Sequence, residues 1–241
     1  MYRVQKILSM IGVLSRRECE KYIKQGLIKI NNSIATLGSK VAIDDKITFN
    51  QKEYQVTEEL INSEVEILVY NKPVGYIVTR RDTAKRKTVF DNLPNINGRW
   101  INVGRLDVKT SGLLLFTNNG DIANKLMHPS SNIIRTYEVV INGNFNKSKQ
   151  NECLSGVKIG LSETGKFSKI SQTRYDNGTY KVSLTTGKNR EVRRVFQAVN
   201  CKVFSLKRIK YSTVHLNNLK EGNYKFLDST EKNLLLKDLH Q

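Results

Sequence analysis

The chain has 241 residues, of which 39% are hydrophobic and 26% charged, the proportions of a globular protein with a real core. Its 40 lysines and arginines against 22 acidic residues give a net charge of +18, which predicts a polyanionic partner, nucleic acid before an anionic membrane surface. No apolar run approaches the roughly 18 residues of a membrane span, and the N-terminus lacks a signal-peptide pattern, so we expect a cytoplasmic protein.

Cysteine and histidine are scarce and scattered along the chain. Cys19, Cys153 and Cys201 are odd in number and have no metal-ligand spacing, which predicts free, buried thiols in a reducing compartment. None of the three histidines pairs with a cysteine or another histidine at ligand spacing. No glycine-rich phosphate loop is present either, so we expect neither a metal ion nor another cofactor.

The first fifty residues predict a compact module of α/β structure. Apolar residues at helical spacing over 4–11 predict one helix, and Ser15 followed by Glu18 forms a capping-box pattern that opens a second. Short strand-like pieces with turn residues between them follow over 27–49.

Basic residues crowd this module, and they suit contact with the phosphates of folded RNA. The alternative is a solvated basic face that only keeps the module soluble. The candidate RNA-binding residues of the module are Arg3, Lys6, Arg16, Arg17 and Lys24.

The polar, glutamate-rich segment 51–64 is interpreted as a linker, so we predict a first domain over 1–60 and a second over 61–241. Strands dominate the second domain, and with occasional helices they predict an α+β class with a mainly antiparallel mixed sheet. The predicted strands are Val65–Tyr70, Tyr76–Thr79, Gly112–Thr117, Thr136–Ile141, Phe167–Tyr175, Tyr180–Thr185 and Val203–Tyr211. The predicted helices are Asp121–Met127, Lys147–Leu154 and Glu191–Val199.

One polar loop between apolar strands stands out as a candidate catalytic loop. Within 99–117, Asp107 is the only carboxylate, with Arg105 two residues before it and Lys109 two after. Neighbouring cations favour an ionised carboxylate, which is a competent nucleophile. From the pattern alone, an ordinary turn or capping aspartate is the stronger interpretation of Asp107.

Four motifs, in order along the chain, resemble those of the RsuA/RluB-type ribosomal RNA pseudouridine synthases. They are Asn71-Lys72-Pro73-Val74-Gly75; Gly104-Arg105-Leu106-Asp107 with Thr110-Ser111-Gly112; Arg135-Thr136-Tyr137-Glu138-Val139; and Gly187-Lys188-Asn189-Arg190-Glu191-Val192-Arg193-Arg194. The first fifty residues likewise resemble the small RNA-binding module of ribosomal protein S-four. The resemblance spans the whole chain.

The resemblance implies site-specific isomerisation of uridine to pseudouridine, without cofactor or metal. Asp107 would be the nucleophile, Tyr137 would stack on the flipped uracil, and Arg193 would pair with Asp107. Arg105 would fill the space that the flipped base leaves. Lys188, Arg190, Arg194 and Arg208, with Lys207 and Lys210, would bind the RNA backbone beside the site.

Alternatives stay open for single residues. Tyr137 shares its strand with Val139 and Ile141 and can be a core tyrosine, and Arg193 can be a phosphate contact on a helix surface. The basic loop 80–87 can be an RNA contact that orders on binding, or a merely solvated loop.

Two other function classes compete with the enzyme. A non-catalytic ribosomal RNA-binding or assembly factor would explain the charge but not the combination of Asp107, Tyr137 and Arg193. An RNA-modifying transferase would need a cofactor pocket that no motif provides. The amino-acid sequences of 78–82 and 100–108 most resemble the large-subunit branch of the family. The expected partner is therefore ribosomal RNA, free or in an assembling particle, and we expect a monomer.

Overall fold

A computed structural model describes residues 1–96, 98–173 and 178–239, and the chain divides into two compact units. The N-terminal unit comprises 1–66 with the short pieces 94–101 and 117–120, and the large unit comprises 67–93, 102–116 and 121–241. No helix in the described part of the chain is long and apolar enough to cross a membrane.

The N-terminal unit packs two helices against short strands. Ser15 caps α2 as predicted: its Oγ accepts the amide of Glu18 at 3.2 Å, and its own amide donates to the Glu18 carboxylate at 2.9 Å. Val4, Ile7 and Leu8 of α1 are fully buried in the core that α1 and α2 share. The elements are β1 (Tyr2–Arg3), α1 (Val4–Met10), α2 (Arg16–Lys24), β2 (Ile28–Ile30), β3 (Ser33–Ile34), β4 (Lys40–Val41), β5 (Lys46–Phe49), β6 (Lys52–Gln55) and α3 (Glu58–Ile61).

The interpretation of 51–64 as a linker is wrong. Strand β6 pairs with β5 in antiparallel register, and Thr57 caps α3 by accepting the amide of Leu60. Polar composition does not preclude an edge strand, because an edge strand buries little of its surface.

The rest of the chain forms a mixed sheet in the strand order β13-β14-β10-β15-β9-β7-β17. The pairs β13–β14, β14–β10, β10–β15 and β7–β17 are antiparallel and β9–β15 is parallel, which confirms the predicted mainly antiparallel mixed sheet. The elements are β7 (Ile67–Lys72), β8 (Ile101–Val103), β9 (Ser111–Thr117), α4 (Gly120–Met127), β10 (Arg135–Asn142), α5 (Lys147–Ser155), β11 (Val157–Lys158), β12 (Thr164–Gly165), β13 (Lys169–Gln172), β14 (Thr179–Leu184), α6 (Glu191–Ala198), β15 (Lys202–Tyr211), β16 (Val214–His215), β17 (Tyr224–Phe226) and α7 (Ser229–Lys237).

Helix α6 is fixed to the sheet by an aromatic cluster. Phe196 of α6 lies 5.1 Å from Phe145 and 5.3 Å from Phe167, measured between ring centroids, and Phe145 lies 5.0 Å from Tyr180 of β14. Such pairs add about 0.5–1.5 kcal/mol each beyond the area they bury. Helix α6 is therefore held at a defined place against the sheet.

Strands β9 and β15 approach each other so closely that one residue cannot carry a side chain. Gly112 has φ +100°, and a Cβ atom at this position would collide with the main-chain carbonyl of Arg208. Glycine fits this position because it adopts positive φ readily and has no Cβ atom. The parallel pairing starts one residue earlier, at Ser111 opposite Lys207, directly after the loop that carries Asp107.

Most predicted elements of the large unit exist, with shifted ends. The predicted strand Tyr76–Thr79 is wrong, since its only bridge among the described residues joins Ile77 to Thr88. The predicted strand Phe167–Tyr175 survives as the shorter β13, and its end at Tyr175 lies outside the described residues. Strand β17 and helix α7 were not predicted. The three cysteines are buried free thiols, as expected.

Candidate active site

A cavity of about 750 Å³ opens in the large unit beside strands β10 and β15. This volume lies within the usual range of small-ligand sites. Predicted residues from three separate motifs meet in its wall, namely Arg105, Asp107, Tyr137, Lys188 and Arg190, together with the predicted RNA-binding residue Arg208. The sequence motifs, far apart along the chain, are therefore brought together in space.

The loop between β8 and β9 presents Asp107 to the cavity. Gly104 takes φ +72°, and the Asn102 side chain donates to the Gly104 carbonyl at 2.8 Å, which fixes the start of the loop. The Thr110 amide donates to the Asp107 carbonyl at 2.9 Å and closes a tight turn. Asp107 is only half-buried, so its carboxylate stays within reach of a ligand.

A buried lysine, not predicted as a functional residue, anchors the end of this loop. Lys72, at the end of β7, is fully buried, and its Nζ donates to the carbonyls of Pro73 and Thr110, each at 2.8 Å. Burial lowers the pKa of the Lys72 ammonium to about 8, against the opposing negative charge of Asp107. One sequence signal existed: a lysine that directly continues a run of buried strand residues must satisfy its charge inside the protein.

Arg193 of α6 holds the same loop from the other side. Its Nη2 donates to the Lys109 carbonyl at 2.7 Å, and its Nη1 donates to the Val203 carbonyl of β15 at 3.2 Å. Burial, with the charge of Arg190, lowers the pKa of Arg193, whereas the charge of Asp107 raises it. Arg193 thus lies in the electrostatic field of Asp107, but its hydrogen bonds go to main-chain carbonyls, not to the predicted carboxylate partner.

Strand register places Tyr137 and Arg208 side by side in the cavity wall. Tyr137 is 9% exposed and pairs with Arg208 of β15 on one side and Val182 of β14 on the other. Arg208 is 2% exposed, and its Nε donates to the Leu113 carbonyl at 2.7 Å. Any contact of Arg208 with RNA would therefore be with a group inside the cavity, because its side chain does not reach the outer surface.

Two guanidinium groups pack against one buried tyrosine at the end of the cavity. The guanidinium carbons of Arg135 and Arg208 lie 5.2 and 5.1 Å from the ring centroid of Tyr211. The Tyr211 hydroxyl donates to the Leu126 carbonyl at 2.7 Å. These cation–π contacts help to hold both guanidinium groups in the cavity wall.

A second carboxylate, missed by the sequence analysis, also lines the cavity. Glu191 is 4% exposed; its two oxygens accept the Thr186 hydroxyl at 2.6 Å and the Lys188 amide at 3.0 Å. Both partners belong to the loop before α6, which ends at Arg190 with φ +49°. Glu191 therefore shapes the loop, whereas Asp107 is the carboxylate available for chemistry.

The predicted basic run beside the site does not form one surface. Glu138 pairs with Lys207 and Tyr137 pairs with Arg208, so Lys207 and Arg208 project to opposite faces of the sheet. Lys210 pairs with Thr136 and shares the Lys207 face, away from the cavity wall. The expectation that Lys207 and Lys210 bind RNA beside the cavity is therefore wrong, because neighbours along a strand point to opposite sides.

Two other predicted RNA-binding residues at α6 are engaged within the protein. Arg194 donates to the Ile159 carbonyl and forms an ion pair with Glu163. Lys188 donates through its Nζ to the Thr164 carbonyl at 2.5 Å. By contrast, Arg190 and Arg105 are exposed at the cavity.

The remaining predicted RNA contacts are more accessible. In the N-terminal unit, Lys6 is half-buried and the other predicted basic residues, Arg3, Arg16, Arg17 and Lys24, are exposed. The basic loop 80–87 has internal order, since Arg86 and Asp82 form an ion pair at 2.7 Å. In the described part of the chain, no group of three His, Cys, Asp or Glu side chains is placed to hold a metal ion.

Comparisons with known proteins bear on both units. Residues 66–198 match the family model of RNA pseudouridylate synthases, and residues 3–47 match that of S4 domains. The "Ribosomal large subunit pseudouridine synthase B" of Buchnera aphidicola subsp. Schizaphis graminum is 44% identical over 236 residues, 94% of this chain and 90% of the relative. The protein of that name from Pseudomonas aeruginosa is 40% identical over 244 residues. The match covers 98% of this chain and 62% of the length of that relative.

A solved structure resembles the whole chain as well. The crystal structure of a pseudouridylate synthase covers 98% of this chain and 100% of its own, with a TM-score of 0.67 and 26% sequence identity.

Proposed function

The chain belongs to the RNA pseudouridylate synthase family, and we propose that it isomerises a specific uridine of large-subunit ribosomal RNA, with Asp107 as the nucleophile. The observation that carries the proposal is the shared cavity of about 750 Å³, which Asp107, Tyr137, Arg105 and Arg208 line together. The names of the 40–44% identical relatives support the large ribosomal subunit as the source of the substrate.

The reaction follows from what the cavity offers. The target nucleotide leaves the RNA stack and enters the cavity, and Arg105 at the rim fills the vacated space. The Asp107 carboxylate attacks the nucleotide at the anomeric carbon of the ribose or at carbon 6 of the ring. The bond from N1 to the sugar breaks, the base turns, and carbon 5 bonds to the sugar. The bond between Asp107 and the nucleotide breaks in turn, which frees the carboxylate for another cycle. Carbon 5 then loses its proton and N1 gains one, so the product is an isomer of the substrate.

Tyr137 and Arg193 have distinct proposed roles. The Tyr137 ring forms part of the cavity wall, where it can stack on the flipped uracil. Arg193 holds the Asp107 loop and places a positive charge near the carboxylate. Lys72 likewise holds the loop, through the Thr110 carbonyl, and places a second positive charge near Asp107.

RNA binding is also proposed for the basic residues that are exposed. In the N-terminal unit these are Arg3, Arg16, Arg17 and Lys24, and at the cavity they are Arg105 and Arg190. We further propose that the enzyme works as a monomer in the cytoplasm, on free ribosomal RNA or on an assembling particle.

The test is pseudouridine formation on ribosomal RNA from cells that lack this protein, measured by release of tritium from carbon 5 of labelled uridine. Wild type should form pseudouridine at one position, and Asp107→Asn should lose more than about 10³-fold in rate. Glu191→Gln is the matched control, because it changes the other carboxylate of the same cavity and should retain measurable turnover.

Two outcomes would overturn parts of the proposal. Wild-type rates in Asp107→Asn, with loss in Glu191→Gln, would assign the chemistry to the other carboxylate. No pseudouridine on any cellular RNA from wild type would favour a non-catalytic RNA-binding or assembly factor.

A further inference from the structure

Phe204 of β15 is the most exposed phenylalanine of the chain, at 67%. A single exposed apolar side chain needs no functional explanation in general, since much of any protein surface is apolar. Three observations on Phe204 nevertheless point to a ligand: its place in the strand, its distance from the Asp107 loop and the charges around it.

The first observation is a β-bulge. Val203 pairs with Ile141 and Ser205 pairs with Val140, which are consecutive residues of β10, so Phe204 is the extra residue without a partner in the register. A bulge redirects a side chain that would otherwise follow the alternation of the strand, and bulges are frequent beside active sites.

The second observation is that Phe204 lies beside the candidate catalytic loop. The Val203 carbonyl, which belongs to the peptide linking Val203 to Phe204, accepts from the same guanidinium that binds the Lys109 carbonyl. At the usual strand rise, Phe204 lies about 7 Å along β15 from Leu206, a residue of the cavity wall. This separation leaves Phe204 within reach of a nucleotide next to one held in the cavity.

The third observation is the positive charge near the ring. Lys109, in the Asp107 loop, and Lys202, two residues before Phe204, are both exposed. An exposed aromatic ring among cations is the usual composition of a surface for single-stranded nucleic acid, where cations bind phosphates and the ring stacks on a base. Lysine is depleted at protein–protein interfaces, so the surroundings of Phe204 favour RNA over a protein partner.

We propose that Phe204 stacks on an unpaired base of the RNA adjacent to the target uridine and so fixes the position of the strand that enters the cavity. The proposal rests on the proposed function, because it takes the cavity as the site of the flipped uridine. Phe204 is a positioning residue: it binds the neighbour of the reacting nucleotide and takes no part in the chemistry.

The first experiment compares Phe204→Ala and Phe204→Trp with Phe226→Ala, which removes another exposed phenylalanine, on β17. With a synthetic RNA hairpin that carries the mapped target uridine, Phe204→Ala should bind about 10-fold more weakly, as loss of one stacked base predicts. The maximal single-turnover rate of Phe204→Ala should change less than about twofold. Phe204→Trp and Phe226→Ala should both bind the hairpin with the affinity of wild type. Thermal unfolding of each variant checks that it folds.

The second experiment removes the base instead of the ring. Hairpins with an abasic site on either side of the target are bound to wild type and to Phe204→Ala. At the stacked position, wild type should lose about 10-fold in affinity and Phe204→Ala should lose no more, because the two changes remove one contact.

These results separate the inference from the proposed function. The affinities can be measured in the Asp107→Asn background, so the test of stacking does not depend on whether the protein forms pseudouridine. Equal affinity of wild type and Phe204→Ala for the intact hairpin would overturn the inference, as would an equal loss on every abasic hairpin. Self-association of wild type that Phe204→Ala abolishes would also overturn it, in favour of a contact with a second copy.

Discussion

The Nζ of Lys72 and the main-chain carbonyl of Thr110 are joined by a 2.8 Å hydrogen bond, 38 residues apart along the chain. This bond fixes the end of the loop whose turn begins at Asp107, and Arg193 fixes the preceding carbonyl, that of Lys109. The position of the carboxylate therefore depends on two buried or half-buried cations that belong to β7 and α6.

Removing the buried lysine should loosen the loop. In Lys72→Met, the carbonyls of Pro73 and Thr110 lose their donor, and each unsatisfied buried group costs about 1–3 kcal/mol. We expect kcat to fall at least about 10-fold, and RNA affinity to change less than about twofold. Urea denaturation measures the loss of stability, steady-state kinetics measure kcat, and a binding titration measures RNA affinity. Lys147→Met, at an exposed lysine of α5, is the control and should match wild type. Unchanged kcat in Lys72→Met would contradict the anchoring role.

The pH dependence of stability gives an independent check on Lys72. Its pKa is lowered from 10.5 to about 8 in the folded protein, so between these values the unfolded chain binds more protons. The free energy of unfolding contributed by this group therefore rises as pH rises from about 8 to about 10.5, by about 3 kcal/mol in total. The difference between wild type and Lys72→Met, measured by urea denaturation across this range, should grow with pH. A flat difference would mean that Lys72 titrates normally.

Arg193 should act on kcat and not on substrate affinity. Arg193→Met removes the link between the Lys109 and Val203 carbonyls, and a small displacement of the nucleophile can cost about 10²-fold in rate. Arg193→Lys keeps a charge without the planar fork and should recover only part of the loss. Single-turnover kinetics separate the two parameters. A raised KM with unchanged kcat would instead make Arg193 an RNA phosphate contact.

Neighbouring arginines of α6 should differ in their response to salt. Arg190 is exposed at the cavity, so Arg190→Met should weaken RNA binding and reduce the slope of log affinity against log salt by about 1. Arg194 is bonded to the Ile159 carbonyl and Glu163, so Arg194→Met should lower stability by about 1–3 kcal/mol and leave the salt slope unchanged. Filter binding at several salt concentrations measures the slopes, and the reverse pattern would exchange the two roles.

Arg105 should matter most when the target uridine is base-paired. If its side chain fills the space of the flipped base, Arg105→Ala should slow single-turnover reaction about 10-fold on a paired target. On an otherwise identical RNA with a mismatched, already unpaired target, the loss should be less than about threefold. Equal losses on both substrates would show that Arg105 only adds affinity for the backbone.

Local chemistry made some features predictable from the sequence. The Ser15–Glu18 capping box acts over one helical turn, and the helices at 121–127 and 191–199 have their own apolar periodicity. The gathering of Asp107, Tyr137 and Arg190 at one cavity was expected only through the family resemblance. Nothing in the spacing of these residues requires it.

Other features depend on strand pairing, which a single sequence does not display. The opposite orientation of Lys207 and Arg208 follows from their partners Glu138 and Tyr137 on β10. The exposure of Phe204 follows from an extra residue that exists only relative to β10. Lys72 follows an apolar run in the sequence, but its full burial is visible only once β7 is found buried on both faces.

The close approach of β9 and β15 at Gly112 bears on how this enzyme can change over evolution. A side chain at Gly112 would push away the Arg208 carbonyl, and β15 carries two cavity residues at or next to that contact, Arg208 and Leu206. Substitutions at Gly112 would therefore disturb the end of the nucleophile loop and the opposite cavity wall at once. New target specificity is more accessible through exposed rim positions such as Arg105 and Arg190, which can vary without moving either strand.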